Sequence, residues 1–302
     1  MRAYGFTAVG GPEHEAFLEV PEPEPGPGEL LVRVRAAGVN PGDWRLREGS
    51  YGVEPPAVLG REVAGTVERL GPDVTGFAVG DEVFGGCPGM VGGFAPLARV
   101  TASFAAHRPA GVSPADAAVL PVAAGTAYDA LTGLDLPPGA TLLVNGAGGG
   151  VGLPVVQLAA ARGITVVGIA SRAKEELLRR FGAVPVVYGD GVLDRVRAAA
   201  PGGVDAVFDL VGGDSLRTVA ELLTDRSRLR SVADKPLVAK LGGADVARDR
   251  STAVLTELAR LVAAGALDPH VTSVRPFDEA GAALAAVERG HEVGKVVLDL
   301  DV

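Results

Sequence analysis

Cysteine is almost absent from these 302 residues; Cys87 is alone. A single thiol excludes a disulfide within the chain and any zinc site built from several cysteines. Histidine is scarce too, and His14, His107, His270 and His291 stand too far apart to offer a spaced pair of metal ligands. Basic residues are in deficit, 28 against 37 acidic ones, giving a net charge of −9, and they are scattered. Affinity for a phosphate backbone depends on clustered Lys and Arg, so nucleic acid is not an expected partner. No apolar run approaches the ~20 residues needed to cross a bilayer. The opening MRAYGFTAVGGPEH lacks the basic-then-apolar order of a secretory leader. These absences lead us to expect a soluble, cytoplasmic protein without a membrane partner. With 47% hydrophobic and 22% charged residues, the chain can bury a large core and suits about two domains.

The texture changes along the chain. Up to about residue 120, short alternating runs are broken by Gly and Pro. Glu29–Ala36 and Glu62–Leu70 have the period of two expected of half-buried strands. Gly71–Asp73 and Val79–Gly86 read as turn-rich connections, and Pro21–Gly28 as one extended loop. This is the pattern of a small β-barrel. From about residue 121 strands alternate with helices: TLLVN, ITVVGIA, VPVVY and VDAVFDLVGG are separated by helical segments. That alternation implies a doubly wound parallel sheet. The fold class is therefore α/β, with a barrel over residues 1–120, completed by 266–302, and a dinucleotide-binding domain over 121–265. The last strand, KVVLDL, is expected to rejoin the barrel.

The densest signal is TLLVNGAGGGVGLPVVQL, Thr141–Leu158, with five glycines in seven positions between a strand and a helix. Bare backbone at Gly149 lets a pyrophosphate approach, and Gly152 lets the helix pack close to the strand. The helix N-terminus attracts anions, and Pro154 is tolerated in a first turn. Ala147, Gly149, Gly150 and Val151 are thus candidate cofactor-binding residues. The strict GxGxxG spacing is replaced by Ala147-x-Gly149-x-x-Gly152.

The segments AAGVNPGDWRLREGSY, PAVLGREVAGTVERLG, FAVGDEVFG, NGAGGGVG, VDAVFDLVGG and GHEVGKVVL resemble the zinc-independent medium-chain dehydrogenase/reductases. Within that family they resemble the NADPH:quinone oxidoreductases, the group that includes zeta-crystallin. The resemblance implies a GroES-like catalytic domain with an inserted Rossmann domain. Zinc-dependent relatives carry Gly-His-Glu where this chain has Gly60-Arg61-Glu62, and a cysteine where Asn40 stands. No metal is therefore expected. The resemblance also implies a homodimer joined at the sheet edge near Leu229–Ala233 and the following KPLVAKLGG.

By the same resemblance, Asn40 lies beside the nicotinamide and Tyr51 near the cofactor, and either could donate a hydrogen bond to a developing oxyanion. Thr126 and Lys295 match cofactor-proximal residues. Asp43 and Arg45 read as local ion-pairing residues, and Trp44 and Tyr128 as packing. The implied reaction is hydride transfer to a quinone or conjugated carbonyl, acceptors electrophilic enough to react without a metal. The alternative is a non-catalytic NADPH-binding protein of the same fold.

NADPH is the expected cofactor. Enzymes that choose NAD place a carboxylate at the end of the second strand, about 20 residues past the glycines. Here Ile169, Ala170 and Ser171 occupy that place, followed by Arg172 and Lys174. Two cations in the first turn of a helix capped by Ser171 would oppose its dipole by about 0.3–1 kcal/mol each, a sign that a bound 2′-phosphate would reverse. Lys174 and Tyr188 match family residues that contact that phosphate. On the metal, the expected outcome is that turnover survives exhaustive chelation and that elemental analysis finds no stoichiometric zinc. One zinc per chain would overturn the assignment to this branch.

Overall fold

The computed structural model describes residues 1–290 and 293–300, so His291 and Glu292 of GHEVGKVVL lie outside the described residues. The chain divides into two compact units: Met1–Val122, Arg250–Gly265 and Pro269–Val302 form the first, and Ala123–Asp249 with Ala266–Asp268 the second.

The first unit opens with β1 (Arg2–Phe6), β2 (Glu15–Glu19), β3 (Glu29–Val39), α1 (Pro41–Arg47), β4 (Ala57–Val58) and β5 (Glu62–Leu70). It continues through β6 (Glu82–Gly86), β7 (Leu97–Thr101), β8 (Ala105–His107) and α2 (Pro114–Ala117). The stretch Val79–Gly86 is not all turn. Val83 and Phe84 are fully buried, and pairing with β5 draws residues 82–86 into a strand despite their glycines. β3 is the spine of the unit, bonded to β5 and β7. Its Leu30, Val32 and Val34 pack with Val63, Val67, Val83, Phe94 and Val100 in one core.

The second unit carries α3 (Gly125–Leu134), β9 (Thr141–Asn145), α4 (Gly152–Ala161), β10 (Thr165–Ala170), α5 (Glu175–Arg180) and β11 (Val184–Val187). Then come α6 (Val192–Ala199), β12 (Ala206–Asp209), α7 (Gly213–Ala220), β13 (Leu229–Ser231) and α8 (Lys235–Lys240). The five strands are all parallel, in the order β11-β10-β9-β12-β13. The order reverses between β9 and β12, the switch point at whose carboxyl ends such sheets bind ligands. Leu143, Val167, Val186, Val207 and Leu229 form its core with Leu216 and Val219 of α7. Residues 224–233, whose turn chemistry departs from the family pattern, still deliver β13: Asp225 accepts the Ser227 amide at 2.9 Å and caps a short turn before it.

The strand proposed as a dimer edge is already occupied. The Ser231 amide donates to Ala244 O at 3.1 Å, and the Ala244 amide to Leu229 O at 3.0 Å. Ala244 thus takes up Leu229 O and the Ser231 amide on the outer side of this three-residue strand.

After α9 (Thr252–Ala263), β14 (Val271–Pro276) and α10 (Ala280–Glu288), the chain ends in β15 (Lys295–Asp299). β15 pairs antiparallel with β3, Val296 opposite Val39. The sheet of the first unit then runs β14-β15-β3-β5-β6-β8, with β7 also on β3. Helix α9 groups with this unit, whereas its residues had been assigned to 121–265. The Thr252 hydroxyl, which donates to the carbonyls of Ala102 and Ser103 at 3.3 Å, is one tie. The helical stretch Pro114–Leu134 is long and apolar enough to cross a membrane, although no such run stood out in the sequence. It is largely buried within the protein, as a core helix is.

Arg47 of α1 has no solvent-exposed surface. Its Nη1 pairs with Glu15, Nη2 donates to Glu288 Oε1 at 2.9 Å, and Nε donates to Gly10 O at 3.0 Å. Tyr4 donates to the other oxygen of Glu15 at 2.7 Å. One guanidinium thus ties α1 to β2 and α10. Replacing it strands a buried carboxylate, so Arg47→Met should cost about 3–5 kcal/mol in urea unfolding. Arg69→Ala, which breaks the exposed pair with Glu24, should cost under about 1 kcal/mol. Equal losses would contradict this account.

Candidate functional site

The glycine turn sits at the carboxyl end of β9. Gly146 has φ +89°, which only glycine adopts readily. The Gly146 and Ala147 amides both donate to Ile169 O at 3.0 Å, fixing the turn to β10. Ala147 is fully buried, and a Cβ at Gly168 would crowd its methyl. Ala147 therefore sets the spacing between turn and strand by packing. At Gly152 a side chain would run into the Ala147 carbonyl, so only glycine lets α4 start this close to β9. A Cβ at Gly149, by contrast, would meet only Gly146 O at an ordinary 3.5 Å. Packing within the protein therefore does not require its bareness. The Leu153 amide returns to Gly149 O at 3.0 Å, and Pro154 has none. Gly150 and Val151, both half-buried, complete the turn.

At the end of β10 the arrangement differs from expectation in one respect. Arg172–Lys174 is a separate 3₁₀ turn, and α5 starts at Glu175 with Glu175 and Glu176 in its first turn. Ser171 precedes the turn without a capping hydrogen bond from its side chain. Lys174 is the N-cap residue of α5, and Glu175 and Glu176 in its first turn supply the carboxylates that the dipole favours. What places Lys174 is contact: its aliphatic stem lies across Gly148, where a side chain would collide with it. Arg172 is exposed beside it. Tyr188 is 63% exposed, and its amide donates to Ala170 O at 3.1 Å, setting it next to Ser171. The structure thus gathers Lys174, Ser171 and Tyr188 around the glycine turn and the end of β10. Thr126 is buried in the first turn of α3.

Sequence reasoning missed the network at the switch point. Asp209, fully buried at the end of β12, accepts from Asn145 Nδ2 at 2.6 Å, Ser231 Oγ at 2.6 Å and the Gly212 amide at 3.0 Å. Asn145 also reaches Ser215 Oγ at 2.9 Å. The ends of β9, β12 and β13 are bound to one carboxylate. The signal was available: an Asp and an Asn each closing an apolar strand.

In the first unit five polar side chains lie together, all buried: Asn40, Asp43, Arg61, Glu62 and Lys295. Lys295 Nζ lies 2.6 Å from Asn40 Oδ1, 3.1 Å from Val39 O and 3.4 Å from Glu62 Oε1. Asn40 Nδ2 donates to Glu62 Oε1 at 2.8 Å and to Gly38 O at 3.2 Å. The ammonium and the carboxylate fix which way the amide points, since each can meet only one end of it. Glu62 Oε2 accepts the Val122 amide at 2.7 Å. Asn40 and Lys295 are thus brought together, as the sequence suggested, yet both hydrogens of the Asn40 amide are used inside the unit. Its two partners, Glu62 and Gly38 O, leave neither hydrogen pointing away from the unit.

Asn40 also caps α1, its backbone amide donating to Asp43 Oδ2 at 2.8 Å. Asp43 Oδ1 lies 3.4 Å from Arg61 Nε. The Arg61 guanidinium in turn lies under the Tyr51 ring, 4.5 Å from its centroid. Tyr51 itself is 58% exposed, with φ +82°. Arg45 lies over Trp44, and Trp44 packs on the barrel core. The Cys87 thiol is pushed well up by burial, and further by the charges of Asp43 and Glu62. It is a buried hydrophobe rather than a nucleophile. Among the described residues no three His, Cys, Asp or Glu side chains group as a metal site would require.

A glycine turn at the switch point of a parallel sheet is the arrangement of a dinucleotide-binding fold. The other unit is GroES-like. Comparison with known proteins carries this further: the model of the alcohol dehydrogenase GroES-like domain matches residues 26–119, and that of the zinc-binding dehydrogenase matches 181–298. The quinone oxidoreductase of Coxiella burnetii superposes with a TM-score of 0.91 at 28% identity, over 99% of each chain. A mycobacterial protein solved with NADPH superposes at 0.87 with 30% identity, again over 99% of each. The chain belongs to the medium-chain dehydrogenase/reductase family, with its NAD(P)-binding fold. It is also 37% identical over 286 residues to the erythronolide synthase EryA2 of Saccharopolyspora erythraea, a match covering 90% of this chain and 8% of that protein. The chain spans 8% to 15% of the length of the four polyketide synthases it matches in this way.

Asp43 gives the cluster a pH signature. Burial above all, with the Glu62 charge adding to it, pushes its carboxyl from 3.8 up to about 6, against the opposing pull of Arg61, the Asn40 amide and Lys295. Between those two values the folded protein holds a proton that the unfolded chain has released. The contribution of Asp43 to stability therefore falls as pH rises through that window. Asp43→Asn keeps an acceptor for the Asn40 amide and removes the titration. The difference in urea midpoint between wild type and variant should change between about pH 4 and 6 and level off above 7. Parallel curves over that range would contradict the shift.

Proposed function

We propose that this protein is an NADPH-dependent reductase that transfers hydride to a quinone or to the β-carbon of a conjugated carbonyl compound. Lys174 carries the cofactor half of this reading. Its stem crosses Gly148, and the adjoining strand end, Ile169–Ser171, holds no carboxylate that would claim the ribose hydroxyls. With the exposed Arg172 beside it, the site suits the extra phosphate of NADP. When bound, the dinucleotide supplies the hydride; the chain supplies the rest. The turn Ala147–Val151 holds the pyrophosphate, and Lys174, Arg172, Ser171 and Tyr188 hold the 2′-phosphate. Tyr51, with its ring exposed, faces the acceptor. Asn40 and Lys295 act by position, stiffening the junction of β3, α1 and β15 rather than donating to the reacting atoms. Quinones and conjugated carbonyls are electrophilic enough to accept hydride when orientation alone is provided. One proton completes the two-electron reduction; solvent supplies it, directly or through the Tyr51 hydroxyl, which solvent then reprotonates.

The internal saturation of Asn40 and Lys295 favours a second reading, a non-catalytic NADPH-binding protein. Oxidation of NADPH by a panel of quinones and enones separates the two, since binding without turnover of any acceptor would support the second. For the cofactor site, Arg172→Ala with Lys174→Ala should weaken NADPH binding roughly tenfold or more per lost contact and leave NADH nearly unchanged, as read by fluorescence titration. Equal loss of both cofactors, or a native preference for NADH, would sink the phosphate assignment.

A further inference from the structure

Where zinc-dependent relatives carry a histidine, this chain carries Arg61, and its surroundings are built to receive a guanidinium. Gly60, at φ +98°, turns the chain where a side chain would run into the Phe94 backbone, and so sets the following residue. A side chain at position 42 would collide with the Arg61 guanidinium, and Gly42 O accepts from its Nη2 at 2.5 Å. Asp43 Oδ1 stands 3.4 Å from Nε, and neither atom has a hydrogen-bond partner although both are buried. The charge is therefore held by the pair rather than spread into water. The guanidinium carbon lies 4.5 Å from the centroid of the Tyr51 ring. Tyr51 has φ +82°, next to Gly52 at +66°, a left-handed conformation that a non-glycine residue enters only at a cost. A cation fixed beneath the ring favours one direction for it.

We propose that Arg61 is a positioning residue that acts through Tyr51: the guanidinium, seated on Gly42 and Asp43, holds the exposed phenol in the orientation in which it meets the acceptor. This rests on the reading of Tyr51 as an acceptor-side residue, and the orientation itself can be measured without turnover. Lysine is no substitute, because an ammonium presents no planar face to the ring.

The test uses the full chain labelled with 3-fluorotyrosine, whose four tyrosines give four fluorine resonances; Tyr51→Phe identifies one of them. Arg61→Met should move the Tyr51 resonance toward that of the free amino acid and narrow it, leaving Tyr4, Tyr128 and Tyr188 in place. If Arg61→Met does not fold, as judged by circular dichroism, Arg61→Lys serves in the same comparison, since it retains a cation opposite Asp43. A Tyr51 signal that does not move, or movement of all four together, overturns the inference. The kinetic arm uses NADPH with 1,4-naphthoquinone and with an α,β-unsaturated ketone. Arg61→Met should lower kcat/KM for the acceptor about three- to tenfold, leave NADPH affinity unchanged, and cost nothing further in a Tyr51→Ala background. An equal loss in that background would mean that Arg61 acts on the fold, and would overturn the inference. A Tyr51 signal that responds as expected in a protein that turns over neither acceptor supports the positioning and removes the reductase reading instead.

Discussion

Glu62 ties together three separate segments of the first unit. It is fully buried, and its two carboxylate oxygens receive the Asn40 amide, the Lys295 ammonium and the backbone amide of Val122. Those partners come from the end of β3, the start of β15 and the last residue of the first unit before the chain enters the second. A buried carboxylate is tolerable only if its charge is balanced and its lone pairs are filled, and the cluster satisfies both conditions. Two anions, Asp43 and Glu62, face two cations, Arg61 and Lys295. Side chains that looked like separate candidates in the sequence are one electrostatic unit, and a change at any of them is felt by the others.

The second unit uses the same device at its own critical point. Asp209 gathers hydrogen bonds from the ends of β9, β12 and β13, and so fixes the strand ends where the sheet order reverses. The glycine turn above it is shaped by exclusion: Gly152 and Gly168 are bare because Ala147 needs the space. Gly149 is bare although the protein does not need the space. That contrast separates glycines that packing requires from one that it does not, and spacing alone cannot make the distinction. The stem of Lys174 lies over the turn, across Gly148.

Most of the framework was legible in the sequence because it depends on local pattern. The period of two over Glu29–Ala36 and Glu62–Leu70, the alternation of strand and helix after residue 121, and the strand–glycine–helix order at Thr141–Leu158 each report a backbone state that neighbouring residues enforce. Val79–Gly86 was misread because its glycines argue for a turn while the burial of Val83 and Phe84, supplied by β5, argues for a strand. The family resemblance brought Asn40 and Lys295 into the same site but not the roles their hydrogen bonds allow.

What the sequence determined by itself is thus the α/β class, the parallel sheet, the dinucleotide turn, and the absence of a carboxylate at the end of β10. All of these are set within some thirty residues of chain. Tertiary structure decided which polar groups remain available. Lys295 meets Asn40 across 255 residues, the edge of β13 is closed by Ala244, and Arg61 comes to lie beneath Tyr51. Whether a hydrogen-bonding group is spent inside the protein or presented outside depends on the partners that distant segments bring to it, and no local spacing records that.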